Sequence, residues 1–288
     1  MAKKSVFEDG VANLLRAELE SLGFKIGTVG DSMDILVSYF TNCKRIVLPC
    51  RYRVLEARGF TVPWGVKLGY WLLKWKFKHG RNIIPHLHKA IVKAQGKDAM
   101  LFDWDIHHFH LGLCKKDGFV TRTGNVLYAI VDKGVVYCIT INQHQHWSDK
   151  DLLEIVNANW PHLLDSYRLS KDTHLTLNVD TEAIKNLRKA NVNAMLELSD
   201  HSVVMGRGGG FSTDGSSTEC VRWAISVRNS LLKAEGIIQE ELNNDTGCTL
   251  SISDFTNFYR DGDNIVVADK DYSRRYGIIK IPSLYERI

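Results

Sequence analysis

The sequence predicts a mixed α+β fold: a central small antiparallel sheet with packing helices, a helical basic N-terminal region and an α/β C-terminal region. Two observations support it. Apolar residues recur at helical spacing in some segments and at strand spacing in others, and a hairpin pattern lies near the middle of the 288 residues. Since 44% of the residues are hydrophobic, the chain can bury a large core. We divide it into residues 1–96, 97–165 and 166–288.

The first region, 1–96, is predicted to combine helices with short strands. Residues 6–22 place apolar side chains on one helix face, and Gly23 follows as a stop signal. Short apolar or alternating runs predict strands at 25–29, 33–39 and 46–48. Further helices are predicted at 66–79 and 85–94.

A basic and aromatic segment runs from Ala57 to Lys97, with nine basic residues and no acidic residue. Tryptophan, tyrosine and phenylalanine are interleaved with these cations, a mixture that suits a phosphate backbone and unstacked bases. The nucleic-acid-binding residues we predict are Lys67, Trp71, Lys74, Lys76, Lys78 and Arg81. The alternatives are a solvated helix face or a protein-partner surface, because lysine stems often cover apolar surface.

The central region, 97–165, is predicted to be a compact unit of strand, hairpin and helix. DWDIHHFHLGLC (103–114) has strand periodicity. NVLYAIV and GVVYCITI follow as a hairpin with glycine near its turn. Ser148 and Asp151 resemble a capping box that opens a helix, which Pro161 helps to end.

The last region, 166–288, is predicted to mix helices and strands. Strands are predicted at 173–179, 264–269 and 276–282, and helices at 181–190 and 217–242. A glycine run at 206–210 precedes the long helix. It is either a flexible or partner-binding loop or an anion site at the helix N-terminus.

Histidines are concentrated at the ends of the neighbouring central strands. His107, His108 and His110 lie on one strand, and His144 and His146 follow another. Strand alternation places His108 and His110 on the same side. Because histidine has an unperturbed pKa of about 6.5, one ring can accept a proton while another donates one near neutrality.

Cleavage of RNA through its own 2′-hydroxyl needs those two roles and a cation for the phosphorane charge. Arg122, in FVTRTG, precedes the first hairpin strand and can supply the cation, with Thr123 or Tyr128 as auxiliary donors. The catalytic residues we predict are His108, His110, Arg122, Tyr128, His144 and His146. This chemistry requires neither a metal nor another cofactor, and none is predicted.

Three other interpretations of the histidines stay open. His-x-His with a later histidine and Asp103 or Asp105 could bind a metal. The rings could instead pack or form hydrogen bonds without any chemistry. In addition, HLTL, starting at His174, is similar to one half of the two-histidine phosphoesterases, which carry paired motifs of this kind.

The order HHFHLG, RTGNVLYAIV with DKGVVYCITI, a histidine and a capped helix resembles the RelE-like and YafO-like messenger-RNA interferase toxins. These belong to the wider barnase, EndoU, colicin and RelE ribonuclease fold. The resemblance covers residues 97–165. It implies metal-independent RNA cleavage and regulation by an antitoxin or immunity protein. By the same resemblance His108, His110, Arg122, Tyr128 and His144 or His146 map onto catalytic or phosphate-contacting positions.

We therefore expect a metal-independent endoribonuclease of toxin or phage-defence type that acts on RNA. The alternative is a non-catalytic nucleic-acid- or protein-binding module encoded by a phage or plasmid. Six scattered cysteines without a CxxC pair argue against a disulfide framework, and cytoplasmic localisation is the simpler expectation. No apolar run is long enough to span a membrane, and the sequence does not reveal the oligomeric state.

Overall fold

The structure, a computed structural model, describes residues 5–26, 30–93, 96–144, 149–176 and 179–283. The fold is mixed α+β. The α-helices of these residues are α1 (Val6–Ser21), α2 (Ser32–Arg45), α3 (Lys67–Lys78), α4 (Ala99–Trp104), α5 (Asp151–Asn159), α6 (Thr181–Lys189) and α7 (Thr218–Asn244). The strands are β1 (Arg53–Glu56), β2 (His107–His110), β3 (Lys115–Lys116), β4 (Phe119–Val120), β5 (Asn125–Asp132), β6 (Val135–Gln143), β7 (Leu196–Glu197), β8 (Val203–Val204), β9 (Phe255–Asp261), β10 (Asn264–Asp269) and β11 (Arg275–Lys280).

Contacts divide the chain into two compact units. The first holds residues 1–44, 92–96 and 220–287, and the second holds residues 45–91 and 97–219. The division into three sequence regions stays a prediction. Among the described residues, no helix combines the length and the hydropathy needed to cross a bilayer.

The first unit contains α1, α2, most of α7 and an antiparallel sheet in the order β11-β10-β9. Phe7 of α1 meets Phe258 of β9 edge to face at 5.9 Å. The buried carboxylate of Glu18 accepts hydrogen bonds from the Tyr39 hydroxyl at 2.8 Å and from Arg260 Nε at 2.7 Å. These contacts join α1, α2 and the sheet around one apolar core.

The prediction of a strand at 33–39 is wrong, because these residues belong to α2. Its buried side chains include Ile35, Leu36, Tyr39, Phe40 and Cys43, which is helical spacing. Over the seven residues 33–39, the apolar positions fit the two-residue period of a strand almost as well as the 3.6-residue period of a helix. Only a longer window distinguishes the two periods. The Asp31 carboxylate accepts a hydrogen bond from the Asp34 N–H at 3.0 Å, and the Asp34 carboxylate accepts one from the Asp31 N–H at 3.4 Å, which caps the helix.

The second unit is built around a four-stranded sheet in the order β1-β6-β5-β2. Strands β2, β5 and β6 are antiparallel, as predicted. Strand β1, which the sequence analysis missed, pairs with β6 in parallel, so the sheet is mixed. Lys133 and Gly134 both have positive φ angles, 44° and 78°, and close the predicted β5–β6 hairpin.

The two faces of this sheet are covered by different elements. On one face Phe109 meets Phe77 of α3 edge to face at 5.3 Å. On the other, Ile106, Tyr128 and Ile130 join a core with α4 and α5. Since alternate residues of β2 share a face, His108 and His110 lie on the side of Ile106.

Other predictions have mixed outcomes. The helices predicted at 66–79, 181–190 and 217–242 are confirmed as α3, α6 and α7. Residues 46–48 and 173–176 form no strand, and residues 85–93 contain two 3₁₀ turns, Ile84–His86 and Lys89–Val92, instead of an α-helix. Residues 27–29, 94, 148 and 177–178 of the predicted elements lie outside the described residues.

Candidate active site

Strand pairing brings three histidines to one end of the four-stranded sheet. His108 lies opposite Tyr128, and His110 lies opposite Val126, which also faces Asn142 of β6. The N–H of His144, two residues beyond Asn142, donates to the Gly124 carbonyl at 2.9 Å and continues the ladder. His108, His110 and His144 therefore share one face of the sheet.

A fourth histidine, His88, joins them from the connection between the two 3₁₀ turns. Its ring centroid lies 6.1 Å from His108, 6.3 Å from His110 and 6.4 Å from His144. The His144 ring lies 5.2 Å from both His108 and His110, and it stacks on His110 with an interplanar angle of 14°. We call these four residues the histidine cluster.

His88 was not identified from the sequence, although a signal was present. His86, Leu87 and His88 form a second His-x-His shortly before the central region. By contrast, His107 is buried on the opposite face of the sheet, where its ring stacks on Phe109 at 5.7 Å. His107 is therefore not part of the cluster.

Arg122 lies beside the cluster, as the sequence analysis expected. Its terminal nitrogen is 2.8 Å from His88 Nε2. The connection that carries it is held against the end of β2, because the Leu111 N–H donates to Thr123 Oγ1 at 3.2 Å and Thr123 Oγ1 donates to the Asn125 carbonyl at 2.6 Å. Arg122 is exposed, so it can reach a ligand in front of the rings.

A cavity of about 670 Å³ opens in front of the cluster. Its lining is strongly basic. Side chains that carry or can carry positive charge are Arg45, His88, Lys97, His108, Arg122, His144, Lys185, Arg188 and Lys189. The acidic lining residue is Asp98, whose carboxylate accepts a hydrogen bond from the Leu101 N–H at 3.2 Å and caps α4. The cavity is thus suited to an anion.

Burial sets the protonation of the cluster. It lowers the pKa of His110 to about 3, and the neighbouring His108 and His144 lower it further. Burial, followed by the Arg122 charge, lowers the pKa of His88 to about 4. The pKa of His144 is also lowered, first by burial and then by His108 and Arg122. These three rings are neutral at pH 7 and can accept a proton.

Tyr128, one of the predicted catalytic residues, lies away from the cavity. Tyr128 is buried, and its hydroxyl donates to the Gln143 carbonyl at 2.8 Å, which fixes the backbone just before His144. It does not line the cavity. His146 lies outside the described residues.

The carboxylates considered as metal ligands are bound to arginines instead. Asp103 forms a buried ion pair with Arg188 at 2.8 Å, and Asp105 pairs with Arg207 at 3.1 Å. Among the residues that the structure describes, His108, His110 and His144 are placed to hold a metal, since their ligand nitrogens all lie within 4.8 Å of one another.

The predicted nucleic-acid-binding residues of α3 separate into two groups. Lys67, Trp71, Lys78 and Arg81 are exposed. Lys74 is paired with Glu56 at 2.6 Å, and Lys76 is bound to the ring of His86 at 2.9 Å. An exposed stripe of Trp64, Leu68, Trp71 and Trp75, 46–86% exposed, runs along the helix. Lys67, Lys74 and Arg81 lie over the Trp64, Trp71 and Trp75 rings at 5.1–5.9 Å.

The two other sequence motifs do not contribute to the cavity. His174 is exposed and does not line it. The glycine run packs closely on α4, since the Gly208 N–H donates to the Asp103 carbonyl at 2.7 Å and the Gly210 N–H to the Phe102 carbonyl at 2.8 Å. A Cβ at Gly208 would lie 2.4 Å from the Leu101 carbonyl oxygen, so glycine is required there for packing.

Comparisons of the chain with protein-family models, with curated proteins and with solved structures give no match.

Proposed function

We propose that this protein is an endoribonuclease that cleaves RNA by histidine acid–base chemistry without a metal. The observation that carries the proposal is the basic cavity in which imidazoles of neighbouring strands meet the Arg122 guanidinium. An anionic phosphodiester fits its charge, and its volume exceeds that of one nucleotide linkage. The resemblance of residues 97–165 to RelE-like toxins supports the same reaction.

The two imidazoles of the reaction are His108 and His144, which both line the cavity with ring centroids 5.2 Å apart. Neutral His144 takes the proton of the ribose 2′-hydroxyl, whose oxygen then attacks phosphorus. The bond between phosphorus and the 5′-oxygen breaks, and His108 donates a proton to that oxygen. The products are a 2′,3′-cyclic phosphate and a 5′-hydroxyl.

Arg122, His110 and His88 support this reaction. The guanidinium stabilises the charge that develops on the phosphorane oxygens. His110 stacks on His144, the general base of the reaction, and limits the movement of that ring. His88 holds Arg122 through its Nε2 atom and keeps the cation near the reacting phosphate.

The test is cleavage of a short RNA by the full-length protein in a metal-free buffer. We expect His108→Gln, His144→Gln and Arg122→Met each to lower the rate by about 100-fold or more. His201→Gln changes an exposed histidine and should retain full activity. Replacing the ribose at the cleavage site by 2′-deoxyribose should block the reaction. Full activity in all three site variants, or equal cleavage of the deoxy substrate, would refute the proposal.

A second candidate, non-catalytic binding of nucleic acid, is favoured by the exposed aromatic stripe of α3. Its tryptophans can stack on bases while the adjacent cations contact phosphates. Experiment can distinguish the two functions, because a binding module would bind RNA without producing 2′,3′-cyclic phosphate ends.

A further inference from the structure

The unsatisfied nitrogens of the histidine cluster point to a second ligand besides RNA. Both ring nitrogens of His108 and of His110 are buried, and neither has a hydrogen-bond partner among the described residues. Buried polar atoms usually have partners, since leaving one unsatisfied forfeits its hydrogen bonds to water without replacement. His110 is 2% exposed, so bulk water does not compensate for the missing partners. The ring nitrogens of His108 and His110 are therefore suited to a ligand that accepts nitrogen lone pairs.

We propose that His108, His110 and His144 bind one Zn²⁺ ion, and that this ion inhibits RNA cleavage. Their ligand nitrogens lie within 4.8 Å of one another. A tetrahedral Zn²⁺ with Zn–N distances of about 2.1 Å needs nitrogens about 3.4 Å apart. Binding therefore requires the three rings to rotate and bring these nitrogens closer together, and the cavity leaves a fourth position for water.

The chemistry of the ligands selects the class of metal. Three imidazoles without a carboxylate favour zinc and its transition-metal neighbours over Mg²⁺ and Ca²⁺, which prefer oxygen. Asp103 and Asp105, the nearby carboxylates in the sequence, are bound to Arg188 and Arg207. The predicted ion is therefore Zn²⁺, with Co²⁺ as a spectroscopic substitute.

Bound Zn²⁺ should inhibit RNA cleavage, because it occupies the nitrogen lone pairs that the reaction also uses. A ring nitrogen that coordinates a metal cannot accept the 2′-hydroxyl proton or carry a proton to the leaving oxygen. This part of the inference rests on the proposed function, whereas metal binding itself does not.

Arg122 should have opposite effects on RNA cleavage and on Zn²⁺ binding. Its positive charge stabilises a phosphodiester but repels a divalent cation in the same cavity. Arg122→Met should therefore bind Zn²⁺ more tightly, on the order of tenfold, while losing RNA cleavage. Opposite effects of one substitution are not expected from general damage to the fold.

The experiment uses the full-length protein, freed of metal by chelation and dialysis. Titration with Co²⁺ should give one equivalent of the intense visible absorption of four-coordinate cobalt, and Zn²⁺ should displace it. His110→Ala and His144→Asn should lose this signal, while His201→Ala, with an exposed histidine, should retain it. Circular dichroism verifies that each variant is folded. Absence of the signal in the wild-type protein, or an unchanged signal in both site variants, would overturn metal binding.

RNA cleavage is then measured in the same samples with increasing Zn²⁺. Loss of activity at one bound equivalent, reversed by EDTA, supports inhibition. Activity that appears only with bound Zn²⁺ would overturn both inhibition and the metal-free mechanism. Metal binding without cleavage under any condition would overturn inhibition and the proposed ribonuclease function, but would support the metal site.

Discussion

At the scale of single residues, His86 connects α3 to the candidate site. It is completely buried. Its Nδ1 atom lies 2.8 Å from the His110 carbonyl and its Nε2 atom 2.9 Å from Lys76 Nζ. The carbonyl needs a donor and the ammonium needs an acceptor, which fixes the neutral tautomer with hydrogen on Nδ1. His86 is thus a positioning residue for His110.

The same burial predicts that the protein loses stability in mild acid. Burial lowers the pKa of His86 to about 4, and the charges of Lys76 and Lys115 act in the same direction. The unfolded chain takes up a proton near pH 6.5, whereas the folded protein does so only near pH 4. This contribution to stability is therefore present above pH 6.5 and is lost as the pH falls towards 4. Between pH 7 and pH 5 the loss is about 2 kcal/mol.

Urea unfolding at pH 7 and pH 5 measures this effect. The amide of His86→Asn can still donate to the His110 carbonyl. In this variant the free energy of unfolding should differ less between pH 7 and pH 5, by about that amount. The control, His201→Asn, changes an exposed histidine and should leave the difference as in the wild type. An unchanged difference in His86→Asn would show that His86 does not titrate as its burial implies.

At the scale of elements, glycine allows α3 to approach the end of β2. A Cβ at Gly69 would lie 1.7 Å from the Leu111 carbonyl oxygen, a backbone atom that cannot move alone. Leu111 directly follows His110, so the helix and the candidate site share this contact. The close approach also buries Tyr70, Leu73 and Phe77 of α3.

We predict that Gly69→Ala lowers the free energy of unfolding by about 1–3 kcal/mol, because the added methyl group separates α3 from β2. RNA cleavage should fall with it, since the displacement includes His110. Gly65→Ala is the matched control, because no atom lies within 4 Å of a Cβ at that position. Chemical denaturation of both variants tests the prediction, which fails if their stabilities are equal.

At the scale of the molecule, two of the described surfaces are rich in positive charge although the net charge is only +4. One is the cavity of the histidine cluster, and the other is the exposed stripe of α3 with its neighbouring cations. Both belong to the second unit. An RNA-binding role for the stripe predicts salt-dependent affinity that does not need the catalytic rings.

We expect the variant Lys67→Glu, Lys78→Glu, Arg81→Glu to bind single-stranded RNA more weakly and to reduce the slope of log affinity against log salt by about two. The measurement uses fluorescence anisotropy with His108→Gln present in every sample, so that RNA is not cleaved. In the control variant, glutamate replaces three exposed cations of the first unit, Arg222, Lys233 and Lys270, which gives the same net charge. Equal affinity of the two triple variants would exclude the stripe from the RNA-binding surface.

Several parts of the candidate site were predictable from local sequence. Strand alternation was sufficient to place His108 and His110 on one face, and the hairpin signal brought the segment of His144 to the same end. His88 was not identified, because its position depends on a 3₁₀ turn that His86 ties to the His110 carbonyl of β2. The strand predicted at 33–39 failed because a short window fits both periods.

Local sequence patterns were sufficient to predict the mixed α+β class, the β5–β6 hairpin, the spans of α3, α6 and α7, and the shared face of His108 and His110. These properties depend on residue spacing and turn chemistry, which act over a few positions. Three-dimensional packing was needed to establish which side chains line the cavity, that the Tyr128 hydroxyl binds the Gln143 carbonyl, and that burial keeps most of the clustered imidazoles neutral. Those properties depend on contacts between residues far apart in the chain, and on the loss of solvent when such segments pack together.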